Sequence, residues 1–316
     1  MAYHTTPYLL LFLPAALLFY QITPAKWRSY TLLIFSYLFF WSFSEKLIIY
    51  LIGTTFLTHH ICIWMDTMDK RDKRKKRVFQ LGILLLLGTI LCLKYRNFFF
   101  GNVSKLAMVL HIDWSYQDQL IFLPIGISFY TLSAIGYMAD VYWGKVKAEY
   151  SLVKTALFLG FFPVIVEGPI CRWEDVEDTL FKNESVKAEN VFKGCYRIIW
   201  GLFKKMIIAD RLAVLVDKVY VGYESYSGAV IVAAAISYTI QLYMEFSGCM
   251  DMVIGSAGLF GIRLPENFSQ PFFAKTCTDF WKRWHITLGV WFKNYIFYPV
   301  SISKTARKWN KFTRKH

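Results

Sequence analysis

Residues 78–93 read VFQLGILLLLGTILCL, and the eight residues before them, 70–77, read KRDKRKKR. The first stretch carries no charge, and all but one residue of the second is basic. An apolar run of this kind approaches the roughly 20 residues of helix that cross a bilayer. Short loops rich in Lys and Arg stay cytoplasmic, next to anionic lipid head groups. The two stretches together therefore predict a membrane helix preceded by a cytoplasmic loop.

The composition of the whole chain agrees with a membrane protein. Hydrophobic residues make up 56% and charged residues 18%, and the mean hydropathy is +0.36. A soluble domain has about 25% charged residues. The net charge of +14 would also suit a nucleic-acid-binding protein. However, the densest basic cluster lies between two apolar blocks, so we interpret it as a topology signal and expect no nucleic-acid partner.

Apolar blocks recur along the chain, and they predict an all-α, polytopic membrane bundle. We expect about eight to ten membrane-embedded helices, some of them re-entrant, in a single membrane domain (1–316). Its parts are N-terminal spans (1–118), a core (119–300) and a basic tail (301–316). The blocks run approximately over 7–22, 30–43, 47–65, 78–93, 120–138, 152–166, 196–216, 229–246, 250–262 and 286–300.

The loops between these blocks predict the orientation. No Lys or Arg precedes the first block, whereas basic residues follow it. The positive-inside rule then gives a cell-membrane protein with its N-terminus outside and with 24–29, 66–77 and 143–151 in the cytoplasm. The first block has no basic residue before it, so we expect an uncleaved span rather than a signal peptide.

Cysteine spacing and common motifs exclude several classes of enzyme. The six cysteines are scattered without a CxxC pair, so neither a zinc site nor a disulfide framework is indicated, and we expect no metal. The chain also contains no GxSxG, GxxxxGK[ST], HExxH or GxGxxG motif. Serine-hydrolase, P-loop, zincin and dinucleotide-binding interpretations therefore have no support.

Two Pro-containing breaks interrupt the apolar blocks. Pro124 removes a backbone donor inside an apolar run, which predicts a kink or a helix start. The Gly168-Pro169 step is expected to stop a helix. Glu167 and Arg172 flank this second break, which is compatible either with a re-entrant loop or with a paired surface loop.

Two further places carry ionisable residues, which are costly at membrane depth unless they line a cavity or site. Glu245 lies on a polar helical face that runs on to Asp251, and this face either lines a cavity or joins helices by hydrogen bonds. Asp279 and Arg283 stand four residues apart and can pair on a helix. His285 follows them at the start of an apolar stretch, where physical reasoning alone favours a structural role.

Taken in order, these places resemble one family. The motifs that carry the likeness are Pro124-Ile125-Gly126-Ile127-Ser128-Phe129-Tyr130, Glu167-Gly168-Pro169-Ile170, Trp200-Gly201-Leu202-Phe203-Lys204-Lys205, Ala209-Asp210-Arg211, Phe246-Ser247-Gly248, Asp251, Arg263-Leu264-Pro265-Glu266-Asn267-Phe268 and Asp279-Phe280-Trp281-Lys282-Arg283-Trp284-His285-Ile286-Thr287-Leu288. The set resembles the membrane-bound O-acyltransferases, in the branch of alginate O-acetyltransferases and the D-alanyl transfer protein of teichoic acid modification. The likeness is close over roughly 120–300 and loose before it.

The resemblance implies a fold around a funnel or tunnel through the bilayer. It implies transfer of an acyl group, expected to be acetyl, to hydroxyls of an extracellular polysaccharide or envelope polymer. The donor would be a cytoplasmic thioester, on coenzyme A or on an acyl carrier protein, with no bound cofactor. An exported partner acetyltransferase is a further expected partner. His285 matches the first of the family's two active-site histidines, and Glu245, Asp251, Asn267, Asp279 and Arg283 are the supporting polar candidates.

The sequence departs from the family pattern after His285. The family's second histidine lies in a later span, in a Trp-His-Gly type motif, whereas only His316 follows here, in the basic tail. We therefore expect a chain truncated relative to the family, or a degenerate relative. The alternative functions are a non-catalytic membrane scaffold that conducts acyl groups to a partner enzyme, and a transporter with broken helices.

Overall fold

The computed structural model describes residues 2–69, 72–114, 116–117, 123–303, 306 and 309. Lys70 and Arg71 of the basic loop, the start of the predicted core at 119–122, most of the basic tail and His316 lie outside the described residues. Short π-helical segments at Pro7–Phe12, Phe203–Ala209 and Lys293–Phe297 adjoin α1, α10 and α14 in the list that follows. The α-helices are α1 (Leu13–Ile22), α2 (Arg28–Ser44), α3 (Ile48–Asp66), α4 (Lys73–Lys94), α5 (Arg96–Val109), α6 (Ile127–Trp143), α7 (Leu152–Gly160), α8 (Trp173–Leu180), α9 (Ala188–Leu202), α10 (Asp210–Val221), α11 (Gly228–Leu259), α12 (Cys277–Arg283), α13 (Ile286–Phe292) and α14 (Tyr298–Ser301).

The all-α membrane fold predicted from the sequence is confirmed. The described residues form no β-strand, only an isolated bridge between Phe268 and Trp284. Three helical stretches are long and apolar enough to cross a membrane: Ala25–Asp66, which includes α2 and α3, then α4, and α11. The expected count of eight to ten embedded helices stays a prediction, because the other helices are shorter or more polar.

The long helices leave most of their apolar surface uncovered by protein. In the most apolar 18-residue stretch of each helix, the buried share is only 17% for α4 and 6% for α11. Leu84 and Val232 are each at least 60% exposed. Apolar side chains are stable in such positions when lipid, not water, is their surroundings, and a monomeric soluble protein rarely exposes so large a patch.

The chain forms two compact units, one of Ser36–Val166 and the other of Met1–Phe35 with Glu167–His316. Nothing in the structure tests the domain boundaries predicted above. In the Ser36–Val166 unit, α6 begins just after Pro124, as predicted for a helix start. Gly126 has φ +81°, and a Cβ there would meet the Ile165 carbonyl oxygen at 1.9 Å. Only glycine fits this turn.

The second unit contains the other polar motifs, arranged around α11. The sequence predicted a break between the apolar blocks 229–246 and 250–262, but α11 continues through both as one helix of 32 residues. The prediction of two separate blocks is therefore wrong. The physical reason is that Gly248 serves close helix packing, described below, and not a turn. Tyr8 donates from its hydroxyl to Ser256 at 3.0 Å and ties the N-terminal segment to the far half of α11.

Candidate functional site

His285 and Asn267 lie next to each other, in two short segments that are joined by backbone hydrogen bonds. Phe268 and Trp284 form the isolated antiparallel bridge, and the Ile286 amide donates to the Asn267 carbonyl at 2.9 Å. This pairing forces the chain to turn at His285, which adopts the left-handed region with φ +48°. A non-glycine residue with positive φ is uncommon and is strained by roughly 1 kcal/mol or more.

The Asn267 side chain is the centre of the network. It is fully buried, and its Oδ1 accepts from the Thr287 amide at 3.1 Å and the Thr287 hydroxyl at 3.0 Å. The Thr287 hydroxyl in turn accepts from the Ile170 amide at 3.1 Å. The Gly168-Pro169 break is thereby fastened to the segment that carries His285, so two motifs that are more than 100 residues apart in sequence meet in one site.

The network assigns the tautomer of His285. A backbone amide such as that of Thr287 can only donate, so the Asn267 atom that faces it must be the oxygen. His285 Nδ1 lies 3.1 Å from the same oxygen, and therefore it carries the proton. The Nε2 atom is then the nitrogen with a free lone pair, which is the atom a general base uses.

Burial keeps the His285 imidazole neutral. His285 lies outside the three stretches long enough to span a membrane, and burial lowers its pKa below the ordinary value of 6.5. The ring of Phe246 stands edge-on to the imidazole, with ring centres 4.9 Å apart. A neutral imidazole with Nε2 unprotonated can accept a proton near pH 7.

Aromatic side chains surround the His285 turn. Phe268 contacts Trp284, Tyr243 and Phe246, with ring centres between 5.0 and 5.6 Å apart. Such edge-to-face packing adds to the stability gained from burial. The cluster holds the two crossing segments against α11 and shields the hydrogen bonds of Asn267 from water.

Asp251 pairs with two cations from the neighbouring segment. Its carboxylate lies 3.1 Å from Arg197 Nε and 2.6 Å from Lys204 Nζ. Arg197 also makes a bidentate pair with Glu266, the residue before Asn267. Bidentate Arg–carboxylate pairs are strong and fix geometry. Asp251 thus belongs to a charge network that ends beside Asn267, not to the immediate contacts of His285.

Glu245 belongs to a second charge network. It pairs with Lys205 at 2.6 Å, and Lys205 also pairs with Asp210 at 2.7 Å. Lys204 and Lys205 are neighbours, which would point about 100° apart on a regular α-helix. Both nevertheless pair with carboxylates of α11. They lie in the π-helical segment Phe203–Ala209, and π-bulges in helices occur frequently at functional sites.

The close approach of α9 to α11 brings these charges together. A Cβ on Gly201 would meet the Gly248 carbonyl oxygen at 2.5 Å, and one on Gly194 would meet the Gly255 oxygen at 2.8 Å. Each helix places its two glycines seven residues apart, on one face. Small residues allow helix backbones to approach closely in membranes. Gly248 on this face therefore joins helices, whereas Ser247 and Asp251 of the same helix line a cavity.

Two cavities adjoin the charge networks. The smaller, about 470 Å³, is lined by Asn267 together with Tyr243, Ser247 and Asp251. The larger, about 620 Å³, is lined by α9, α11 and the segment after α8. Arg197 and Glu266 line both cavities. The basic side chains of the larger cavity are Lys182, Lys187, Lys193, Arg197 and Arg263, and the acidic ones are Asp178, Glu184 and Glu266.

The sequence-predicted site residues divide into three groups. His285 and Asn267 are in direct contact, as described above. Asp251 and Glu245 lie in the two separate charge networks. Asp279 and Arg283 form the expected i,i+4 pair, with Nε and Oδ1 3.0 Å apart, on the short helix that precedes His285.

Two residues of the networks were missed as candidates. Arg197 lies in a predicted apolar block, and the rule that singled out the embedded acids would have identified this cation as well. Thr287 lies in a quoted motif, but nothing in the sequence indicates that its hydroxyl links Asn267 to Ile170.

The chain is similar to several known proteins. Residues 146–313 match the sequence profile of the membrane-bound O-acyltransferase family. The probable alginate O-acetylase AlgI of Pseudomonas aeruginosa is 33% identical over 94% of this chain and 56% of its own length. The peptidoglycan O-acetyltransferase of Helicobacter pylori is 29% identical over 94% and 61%. The teichoic acid D-alanyltransferase of Bacillus subtilis is 30% identical over 59% and 48%. The chain thus spans about three fifths of the first two relatives and about half of the third.

Proposed function

Because the chain belongs to the membrane-bound O-acyltransferase family, we propose that it moves an acyl group, in the first instance acetyl, from a thioester to a hydroxyl of an envelope polysaccharide. The observation that carries this proposal is the hydrogen bond between His285 Nδ1 and the fully buried Asn267, which leaves the Nε2 lone pair free. The printed names of the relatives, which concern alginate, peptidoglycan and teichoic acid, support a polymer as the acceptor.

The proposed step is a direct acyl transfer. His285 Nε2 takes the proton from the acceptor hydroxyl, whose oxygen forms a bond to the thioester carbonyl carbon. The carbon–sulfur bond breaks, and the thiolate that leaves receives the proton from the imidazolium. Asn267 does not contact the reacting atoms in this scheme. It acts as a positioning residue that keeps the Nδ1 proton in place.

We propose that the donor arrives at the cytoplasmic end, and that the N-terminus is outside with 24–29, 66–77 and 143–151 cytoplasmic. Arg28, in the first of these loops, donates to the Asn183 carbonyl at 2.9 Å. Gln21 accepts from the Val186 amide at 2.9 Å. The basic side of the larger cavity is therefore joined to a proposed cytoplasmic loop. Four of its five cations already pair with carboxylates, and Arg263 makes no ion pair among the described residues. The net positive charge of the lining suits the phosphates of coenzyme A or of a carrier protein's phosphopantetheine.

The test is acyl transfer by the full-length protein in vesicles, with acetyl-coenzyme A or an acetylated carrier protein supplied to one face and a polysaccharide to the other. We expect polymer acetylation that falls on acidification, because protonation removes the Nε2 lone pair. Since burial lowers the pKa of His285, the midpoint of this acidic limb should lie below pH 6.5. An acidic limb with its midpoint above pH 6.5 would count against His285 as the base.

Replacing Asn267 tests the positioning role. Asn267→Ala removes the acceptor of both Thr287 donors and of His285 Nδ1, at a cost of about 1–3 kcal/mol. We expect kcat/KM for acetyl transfer to fall roughly 5- to 150-fold. Asn267→Asp keeps an oxygen acceptor and should recover part of the activity, with the acidic limb moved to higher pH because a carboxylate favours the imidazolium. If Asn267 had a purely structural role, the midpoint of the acidic limb would be the same in Asn267→Asp as in the wild-type protein.

The alternative is a non-catalytic conduit that passes acyl groups to an exported partner acetyltransferase. The same vesicle assay distinguishes the two. A conduit acetylates polymer only when the partner enzyme is added, and it is insensitive to replacement of the imidazole. The proposed enzyme acetylates polymer by itself and depends on His285.

A further inference from the structure

A polar cleft lies in the other compact unit, Ser36–Val166. It has a volume of about 570 Å³ and lies between α5 and residues 116–117. Asn97, Gly101, Ser104 and Lys105 of α5 line it. Their spacing of four, three and one residues places them on one face of the helix.

The opposite face of α5 is apolar and exposed. Phe99, Val103 and Leu106 are each at least 50% exposed. In the orientation proposed above, the cleft lies on the external side, because 94–119 follows an outward span and precedes an inward one.

Tyr116 closes one wall of the cleft and is held on three sides. Its hydroxyl donates to Asn97 Oδ1 at 2.9 Å, and its amide donates to Ser104 Oγ at 3.1 Å. Its ring stacks on Phe100, with ring centres 5.2 Å apart. A wall fixed by both backbone and side chain is a pre-formed feature, as is usual for ligand sites.

The chemistry of the lining matches a sugar. Asn102 Nδ2 already donates to the Phe98 carbonyl at 2.7 Å, which leaves its Oδ1 as an acceptor. This oxygen, the Gln117 amide and the Ser104 hydroxyl are groups of the kind that pair with sugar hydroxyls. Aromatic rings such as those of Tyr116 and Phe98 offer apolar faces for the C–H surface of a pyranose.

The charge of the cleft lining favours an acidic sugar. Among the described residues that line the cleft, Lys105 is the one charged side chain, and no carboxylate lies with it. Lys105 makes no ion pair within the part of the chain that the structure describes. We propose that this cleft binds an acidic, carboxylate-bearing saccharide unit of the acceptor polymer, with Lys105 facing the carboxylate. The inference rests on the proposed function, because that function supplies a polysaccharide on the external face.

Gly101 provides a test that spares the fold. A Cβ at Gly101 would meet nothing within 4 Å, so the side chain of Gly101→Leu has room to begin and extends from the lining of the cleft. Gly88 of α4 is equally open, and Gly88→Leu is the matched control. The probe is a purified hexuronate oligosaccharide, titrated against the protein in lipid nanodiscs by calorimetry. A neutral oligosaccharide of the same length is the comparison ligand.

We expect the hexuronate to bind the wild-type protein and Gly88→Leu alike, and to bind Gly101→Leu at least 10-fold more weakly, a loss of about 1.4 kcal/mol. Lys105→Gln should lower the affinity for the acidic oligosaccharide and leave the affinity for the neutral one unchanged. Equal binding by Gly101→Leu would place the ligand elsewhere. Binding of the neutral probe as tightly as the acidic one would overturn the acidic class, and no binding by wild type would overturn the site.

These outcomes are separable from those of the proposed function. His285→Asn should bind the hexuronate with wild-type affinity, because the cleft contains no part of the His285 network. If the oligosaccharide binds but vesicles show no acetyl transfer, the proposed function fails and the saccharide site stands. If transfer occurs but no saccharide binds, the site fails and the function stands.

Discussion

His285→Asn should reduce acetyl transfer by about 100- to 10,000-fold, the usual contribution of a general base, while the protein remains folded. Asparagine tolerates the left-handed backbone better than other side chains except glycine, so the φ of +48° at this position is retained. Its amide can still donate to Asn267 Oδ1. The variant therefore removes the Nε2 lone pair and little else.

The measurement is the initial rate of polymer acetylation in vesicles, with the melting temperature of the detergent-solubilised protein as the control. His285→Ala serves as a second variant. It adds the strain of alanine at positive φ and should melt lower than His285→Asn, with a similar rate. If His285→Asn transfers acetyl at more than a tenth of the wild-type rate, His285 is not the base and the conduit alternative is favoured.

Gly255→Ala should strongly destabilise the protein, whereas Gly258→Ala on the same helix should not. Alanine forms helices better than glycine by up to about 1 kcal/mol, so both changes would stabilise an isolated α11. At Gly255 the new Cβ would meet the Gly194 carbonyl oxygen and Ile198 Cγ1 at 2.8 Å, whereas at Gly258 it meets nothing within 4 Å. Overpacking typically costs about 1–3 kcal/mol, and here the obstruction includes backbone.

We expect the melting temperature to fall for Gly255→Ala and to rise or stay level for Gly258→Ala. The same clash should move α9 away from α11, which separates Arg197 and Lys204 from Asp251. Acetyl transfer should therefore fall with stability in the first variant and remain in the second. Equal melting temperatures for the two variants would show that the α9–α11 contact is looser than described.

Much of the fold follows from the sequence because lipid imposes few solutions. An apolar run as long as 78–93 has to satisfy its backbone internally, so it must be helical. The turn at Gly126 was also foreseeable, since a proline two residues earlier predicts a helix start. The continuity of α11 could not be predicted in this way, because a Ser-Gly pair considered alone favours a break in a helix. Only the fold shows that Gly248 allows the close approach of α9.

The candidate site was foreseeable in part. His285 and Asn267 were found through their motifs, but their contact depends on a bridge between segments 16 residues apart, which no local pattern specifies. The assignment of the Nδ1 proton depends on Thr287 and Ile170, which are 117 residues apart. Long-range hydrogen bonds of this kind are a property of the fold and leave no periodic trace in the sequence.

The charge network around Asp251 also has a consequence for the synthesis of the protein. Arg197 precedes Asp251 by 54 residues and Lys204 precedes it by 47. At about 5–20 residues per second, both cations leave the ribosome several seconds before their carboxylate exists. During that interval they are stable only in water, at the lipid head groups or against the insertion machinery, so α9 can settle against its neighbour only after α11 has been made.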